Sequence, residues 1–164
     1  MEKNKFLFSQ PTPIKLLITC FVLSLLMGYV IAILQIYNRT QFDVGHTIQY
    51  YRGVESANEL EAIPGPSFAT LLSVAHVHTL SQPVMLALMG LLFAMSYVTT
   101  KAKSLFIVLS FLCSWISNLS PFLIRYISKN FSILLPLSQM MLMLSFFIMA
   151  FVVLYDVWVG PVED

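Results

Sequence analysis

The chain has 164 residues, 58% of them hydrophobic and 10% charged, with a formal net charge of +1. Soluble domains carry about 25% charged residues, so the composition requires lipid rather than water around much of the surface. The near-neutral charge and the absence of a basic run argue against a nucleic-acid partner.

The first candidate span runs from Ile14 to Tyr37, behind Lys3, Lys5 and Lys15. A bilayer needs about 20 apolar residues as a helix, and this run meets that length. It is too long for a signal-peptide core and lacks a small-x-small cleavage site, so it reads as an uncleaved signal anchor. The connection from Asn38 to Ser67 follows, with Arg39 and Arg52 against Asp43, Glu55, Glu59 and Glu61. That is long for a loop without structure of its own. Tyr50, Tyr51, Val54 and Leu60 are expected to anchor a short helix lying on the membrane. Ile63-Pro64-Gly65-Pro66-Ser67 then stops any helix and forces a turn, with Ser67 placed to cap the next span.

The second span is expected over Phe68 to Val98 and the third over Ser104 to Tyr126, with Lys101 and Lys103 between them. The fourth runs from Phe131 to Trp158, after a turn carrying Arg125 and Lys129. Tyr37, Tyr97, Tyr126, Tyr155 and Trp158 lie near span ends, as an interfacial aromatic belt requires. The expected fold is therefore an all-α, antiparallel four-helix transmembrane bundle. It forms one membrane domain over residues 1–164, capped by an external loop over residues 38–67. The lysines before the first span and after the second place both termini in the cytoplasm, although Arg125 and Lys129 weaken that bias. Cys20 and Cys113 both lie in apolar segments with no Cys-x-x-Cys spacing, which argues against a disulfide or a redox motif.

His76-Val77-His78 is the most informative motif. It stands among Ser73, Thr79, Ser81 and Gln82 in the second span. An ionisable side chain at membrane depth is costly and points to function. Counted from the same membrane face at about 1.5 Å per residue, Tyr29, Ser117, Asn118, Ser138 and Gln139 lie at a similar depth. The four spans thus offer one polar layer, expected to face the bundle interior because polar groups in hydrocarbon need partners. The competing reading is plain interhelical hydrogen bonding. Residues two apart on a helix point roughly 200° from each other. His76 and His78 then cannot chelate one ion side by side, unless the helix opens at Pro83. In a regular helix, one ring faces the bundle and the other faces the loop or lipid.

Two ligand chemistries suit the layer. A histidine can be an axial ligand of haem b inside a bundle. No other span contains a histidine, so the sixth position would be taken by Met140 or Met141 from the fourth span, by water, or by nothing. Asn118 lies in the same layer, and Arg52 and Arg125 lie on the same side to pair with propionates. Alternatively, copper or zinc would take His46 from the loop together with His76 and His78, closed by Glu59, Glu61 or water. The nine methionines read mainly as flexible packing. Nothing resembles a nucleophile elbow, a phosphate loop or a dinucleotide fingerprint.

Further stretches complete a pattern: Tyr50-Tyr51-Arg52-Gly53, Ser120-Pro121-Phe122-Leu123-Ile124-Arg125-Tyr126, and Leu154-Tyr155-Asp156-Val157-Trp158. With His76-Val77-His78 and Pro83, the chain from about Thr47 to Trp158 resembles a family of small four-span bacterial membrane proteins. The resemblance implies the fold, the class and a bacterial inner membrane, and transfers no catalytic role. It groups Arg52, His76, His78, Arg125 and Trp158 in one site or one structural frame.

Two functions are expected from these features. The first is a redox- or respiration-linked subunit binding haem b or a copper-like ion at the histidine layer. The second is a non-catalytic accessory or assembly subunit, in contact with other membrane subunits or with its own copies. The lysine pattern predicts that a reporter fused after Asp164 reads cytoplasmic and one inserted between Asn38 and Ser67 reads periplasmic. Periplasmic activity from the C-terminal fusion would contradict the orientation.

Overall fold

The computed structural model describes residues 7–54 and 62–160. Glu55, Glu59, Leu60 and Glu61, together with Lys3, Lys5 and Asp164, lie outside the described residues. Helix α1 covers Thr12–Thr40, α2 Val44–Arg52, α3 Phe68–Ala94, α4 Thr100–Phe122 and α5 Leu134–Trp158. A π-helical turn, Leu123–Ile127, and a 3-10 turn, Lys129–Ile133, join α4 to α5. Among the described residues, four helical segments are long and apolar enough to cross a membrane: Thr12–Thr40, Phe68–Ala94, Thr100–Ile127 and Lys129–Trp158. This is the all-α four-helix membrane bundle that the composition implies. The α1–α3 connection marks its loop end, and Leu7 and Gly160 mark its termini end.

Local chemistry sets the helix boundaries. Pro13 lies in the first turn of α1, where a missing N–H costs nothing. α1 stops where Gln41 and Phe42 take φ of 51° and 56°, and the Gln41 N–H closes onto the Tyr37 carbonyl. Asp43 then caps α2, its Oδ2 accepting from the His46 N–H at 2.9 Å. That amide, together with the His46 ring, holds the Asp43 carboxyl below the ordinary carboxylate range. The short helix expected in the connection is α2, which ends before Val54. Gly53 and Val54 instead pair with Pro64 and Ile63 as a two-residue antiparallel bridge.

Ser67 caps α3, its hydroxyl accepting from the Thr70 N–H at 3.2 Å. α3 ends at Ala94, short of the expected Val98, because the chain turns at Met95 and Ser96. Lys103 Nζ donates to the freed Ala94 carbonyl at 2.8 Å. Asp156, buried near the end of α5, accepts from the Tyr97 N–H at 2.7 Å and fixes the same turn.

α5 is the central helix. It packs against α4, α3 and α1, while α3 packs on α4 and α5, and α1 packs on α5 and α2. The core gathers Phe146, Met149, Ala150, Val153 and Val157 of α5 with Leu86, Met89 and Phe93 of α3, Cys113 of α4, and Ile18 and Val22 of α1. Small buried side chains favour close approach of α4 and α5: Ser110, Cys113 and Ser114 on one, Ser138, Ser145 and Ala150 on the other. The Ser110 and Ser138 hydroxyls donate to carbonyls of their own helices.

α1 is held more lightly. Tyr29 stacks on Phe146 with ring centroids 4.0 Å apart. The Trp158 Nε1–H donates to Thr19 Oγ1 at 2.9 Å. Leu16, Leu17, Leu23, Met27, Ile31 and Leu34 are exposed, which suits a helix bathed in lipid.

Ser110 is 1% exposed, so a larger side chain there must push the helices apart. Ser110→Leu should lower stability by about 1–3 kcal/mol, the usual cost of overpacking. Thermal unfolding in detergent checks this, with Val108→Leu at an exposed position as a neutral control.

Candidate functional site

The inward stripe of α3 runs through Leu71, Ala75, Gln82, Leu86, Met89 and Phe93, at the three- and four-residue spacing of one helix face. Above Gln82 the covering thins. Leu72, Ser73, Val74, Val77, Thr79, Leu80 and Ser81 are exposed, as are both histidines, and Ala75 is half-buried. His78 falls on the inward stripe between Ala75 and Gln82, yet its ring is open. His76 lies on the opposite side. His78 thus lies on the inward stripe yet remains exposed, with no hydrogen-bond partner among the described residues. α1 and α3 both lean on α5, and residues 72–81 of α3 stay exposed apart from half-buried Ala75.

The polar layer forms one turn deeper than the histidines. Gln82 Oε1 accepts from Ser114 Oγ at 2.8 Å and from Asn118 Nδ2 at 3.0 Å, tying α3 to α4. Asn118 thus bonds to Gln82 rather than to a histidine. Ser138 bonds within its own helix, and Tyr29 stacks instead of joining a polar contact. Ser114 escaped the depth count. The signal for it was present, because Ser110, Ser114 and Asn118 recur every four residues on one face of α4.

Among the described residues neither His76 nor His78 has a hydrogen-bond partner, whereas Ser81 donates to the Val77 carbonyl at 2.8 Å. His46 lies in the first turn of α2, its Nδ1 3.2 Å from Asp43 Oδ2. Among the described residues no three His, Cys, Asp or Glu side chains come together as a metal-binding group. Met140 is exposed on α5. The structure therefore does not assemble His46, His76 and His78, and it leaves the two α3 rings open at their own level.

The arginines form a different feature. Arg125 Nη1 donates to the Arg52 carbonyl at 2.5 Å, and Arg52 Nη1 donates to the Ile124 carbonyl at 3.3 Å. Each arginine thus holds the backbone beside the other, and α2 is fastened to the end of the third span. Two glycines allow the crossing. Gly53 takes φ of 89°. At Gly65 a Cβ would meet the Tyr51 carbonyl oxygen, Arg125 Nη1 at 2.8 Å and the Arg52 carbonyl carbon at 2.9 Å. Beneath the crossing, Tyr51, Leu71, Ile124 and Leu135 form a second small core. Burial and the neighbouring Tyr50 push the Tyr51 hydroxyl up to about 12, and Arg39 opposes this, so Tyr51 stays neutral.

Gln82 is the polar link between α3 and α4, and its contribution is measurable. A double-mutant cycle of Gln82→Ala with Asn118→Ala should give a coupling near 0.6 kcal/mol, typical of interhelical bonds in membranes. No coupling in detergent unfolding would contradict the bond.

A family model described as a transmembrane helical domain matches residues 41–163. No curated protein and no solved structure matches the chain. The match begins in the turn after α1 and takes in α2, the arginine crossing, the histidine segment and the α4–α5 hairpin. With a match this extensive and four apolar helices, the chain is a multi-pass membrane protein and belongs to this family of transmembrane helical domains.

Proposed function

We propose that the protein is a non-catalytic accessory subunit that docks onto another membrane polypeptide through the loop-end half of α3. One observation carries this reading: residues 72–81 are exposed almost throughout, yet carry Ser73, His76, His78 and Thr79. Polar side chains in hydrocarbon gain from partners on neighbouring helices, by about 0.6–2 kcal/mol each. Among the described residues none of these four side chains has a hydrogen-bond partner. A transmembrane helix with hydrogen-bonding groups, laid along α3 beside α1, would satisfy them. The lysine pattern supports both termini in the cytoplasm, and the resemblance to small four-span bacterial proteins supports a bacterial inner membrane.

A second reading takes the same rings as ligands for haem b or a copper-like ion. Its support is that neither imidazole is engaged in a hydrogen bond among the described residues, which leaves ring nitrogens free to ligate. The remaining ligand would then come from the partner or from Met140, with Arg52 and Arg125 on the propionate side.

Photo-crosslinking in native membranes separates the two. A crosslinker at position 77 or 80 should give one discrete protein adduct, and one at exposed Leu17 should give none. The adduct should fade when His76 and His78 are both replaced by alanine. Lipid adducts alone at positions 77 and 80 would overturn docking. A Soret band in gently extracted protein, lost in His78→Ala, would favour the haem reading.

A further inference from the structure

The arginine crossing serves more than structure. We infer that Arg52 and Arg125 together form a site for a phosphate-bearing anion at the membrane surface, filled by the headgroup of an anionic phospholipid. The inference is independent of the docking of α3 onto a partner, and it takes the arginines for lipid rather than for haem propionates.

The argument begins with the unused donors. A guanidinium carries several N–H groups in a planar fork suited to phosphate. The structure uses one nitrogen on each arginine, both for backbone carbonyls. Those bonds orient the side chains without neutralising them. Among the described residues neither arginine has a carboxylate within ion-pair distance, and the one acidic side chain in such a pair, Asp43, is taken by His46. Two like charges are therefore held around one backbone crossing, an arrangement that an anion relieves.

The position suits a lipid headgroup. Arg125 stands two residues before the end of the third span at Ile127. Phe68 packs against Phe122 and Tyr126, with ring centroids 5.9 Å and 6.0 Å apart, forming an aromatic belt at the same level. Such belts sit at headgroup depth. The site is also rigid. Gly65 leaves no room between the Tyr51 carbonyl and Arg125, and the π-helical turn fixes Arg125 in the chain. Preorganised donors lose little entropy on binding.

The test uses the full chain in mixed micelles. Thermal midpoints are compared with phosphatidylglycerol, with phosphatidylcholine, and with phosphatidylcholine plus inorganic phosphate. Phosphatidylglycerol should raise the midpoint, and native mass spectra should retain it. Arg52→Gln should weaken that retention about tenfold, the loss expected for one charged hydrogen bond. Arg52→Lys should recover only part of it, because the fork is lost. Lys129→Gln, nearby but outside the crossing, should leave it unchanged. A full effect from inorganic phosphate alone would assign the site to free phosphate and overturn the lipid. Equal midpoints in all three conditions, or full retention in Arg52→Gln, would overturn the site itself. Among the described residues Arg52 makes only the long bond to Ile124 through its side chain, so this variant decides the matter even where Arg125→Gln fails to fold.

Discussion

Hydrocarbon offers no hydrogen bonds, so a membrane chain must satisfy its polar groups from within or from a partner. Most of this fold follows from that constraint. Ser110, Ser120 and Ser138 return their hydroxyls to carbonyls of their own helices, so small residues can line the packed faces. Gln82 reaches across to α4 and is met by two donors. Lys103 covers the Ala94 carbonyl, and Asp156 covers the Tyr97 N–H, so two backbone groups of the α3–α4 turn are met by side chains. At the loop end two arginines do the same for the carbonyls of Arg52 and Ile124, where the π-helical turn and α2 would otherwise leave them unmet. The segment from Leu72 to Ser81 departs from this pattern, with Ser73, His76, His78 and Thr79 lacking a hydrogen-bond partner among the described residues, and function is read there for that reason.

The packing explains why the break falls on α3. α5 forms the axis, with Phe146, Met149 and Val153 each at most 1% exposed. α4 lies along it closely because their facing side chains are small. α3 is clamped at Leu71 by the loop-end core and again from Gln82 downward by the main core. Between those clamps residues 72–81 are exposed, apart from half-buried Ala75. α1, which ends one residue before the family match begins, packs on α5 and α2, and residues 72–81 of α3 remain exposed beside it.

Much of this was legible in the chain. Four apolar runs of sufficient length define the spans because lipid demands length and apolarity, and little else mimics that signal. Pro64-Gly65-Pro66 with Ser67 marks the start of α3 from turn and cap chemistry alone. The polar layer was half legible: depth counting brings Asn118 to the right level but cannot say which helix it faces. Its partner is Gln82, one turn below the histidines. The arginine crossing was not legible, because it depends on a π-helical turn and on the close fit at Gly65. The openness of His78 was not legible either. Its place on the inward stripe follows from spacing, but whether α1 covers that stripe depends on tertiary packing.

The central claim is that α3 changes character at Gln82, enclosed below and uncovered above. A nitroxide scan of residues 72 to 93 in bilayers, read by collision with lipid-soluble oxygen, tests it directly. Accessibility should follow the helical period from Gln82 onward, with deep minima at Leu86, Met89, Gly90 and Phe93. From Leu72 to Ser81 it should stay high on every face, with only a shallow dip at Ala75. Deep minima at His76 or His78, continuing the same period through the whole helix, would contradict the account.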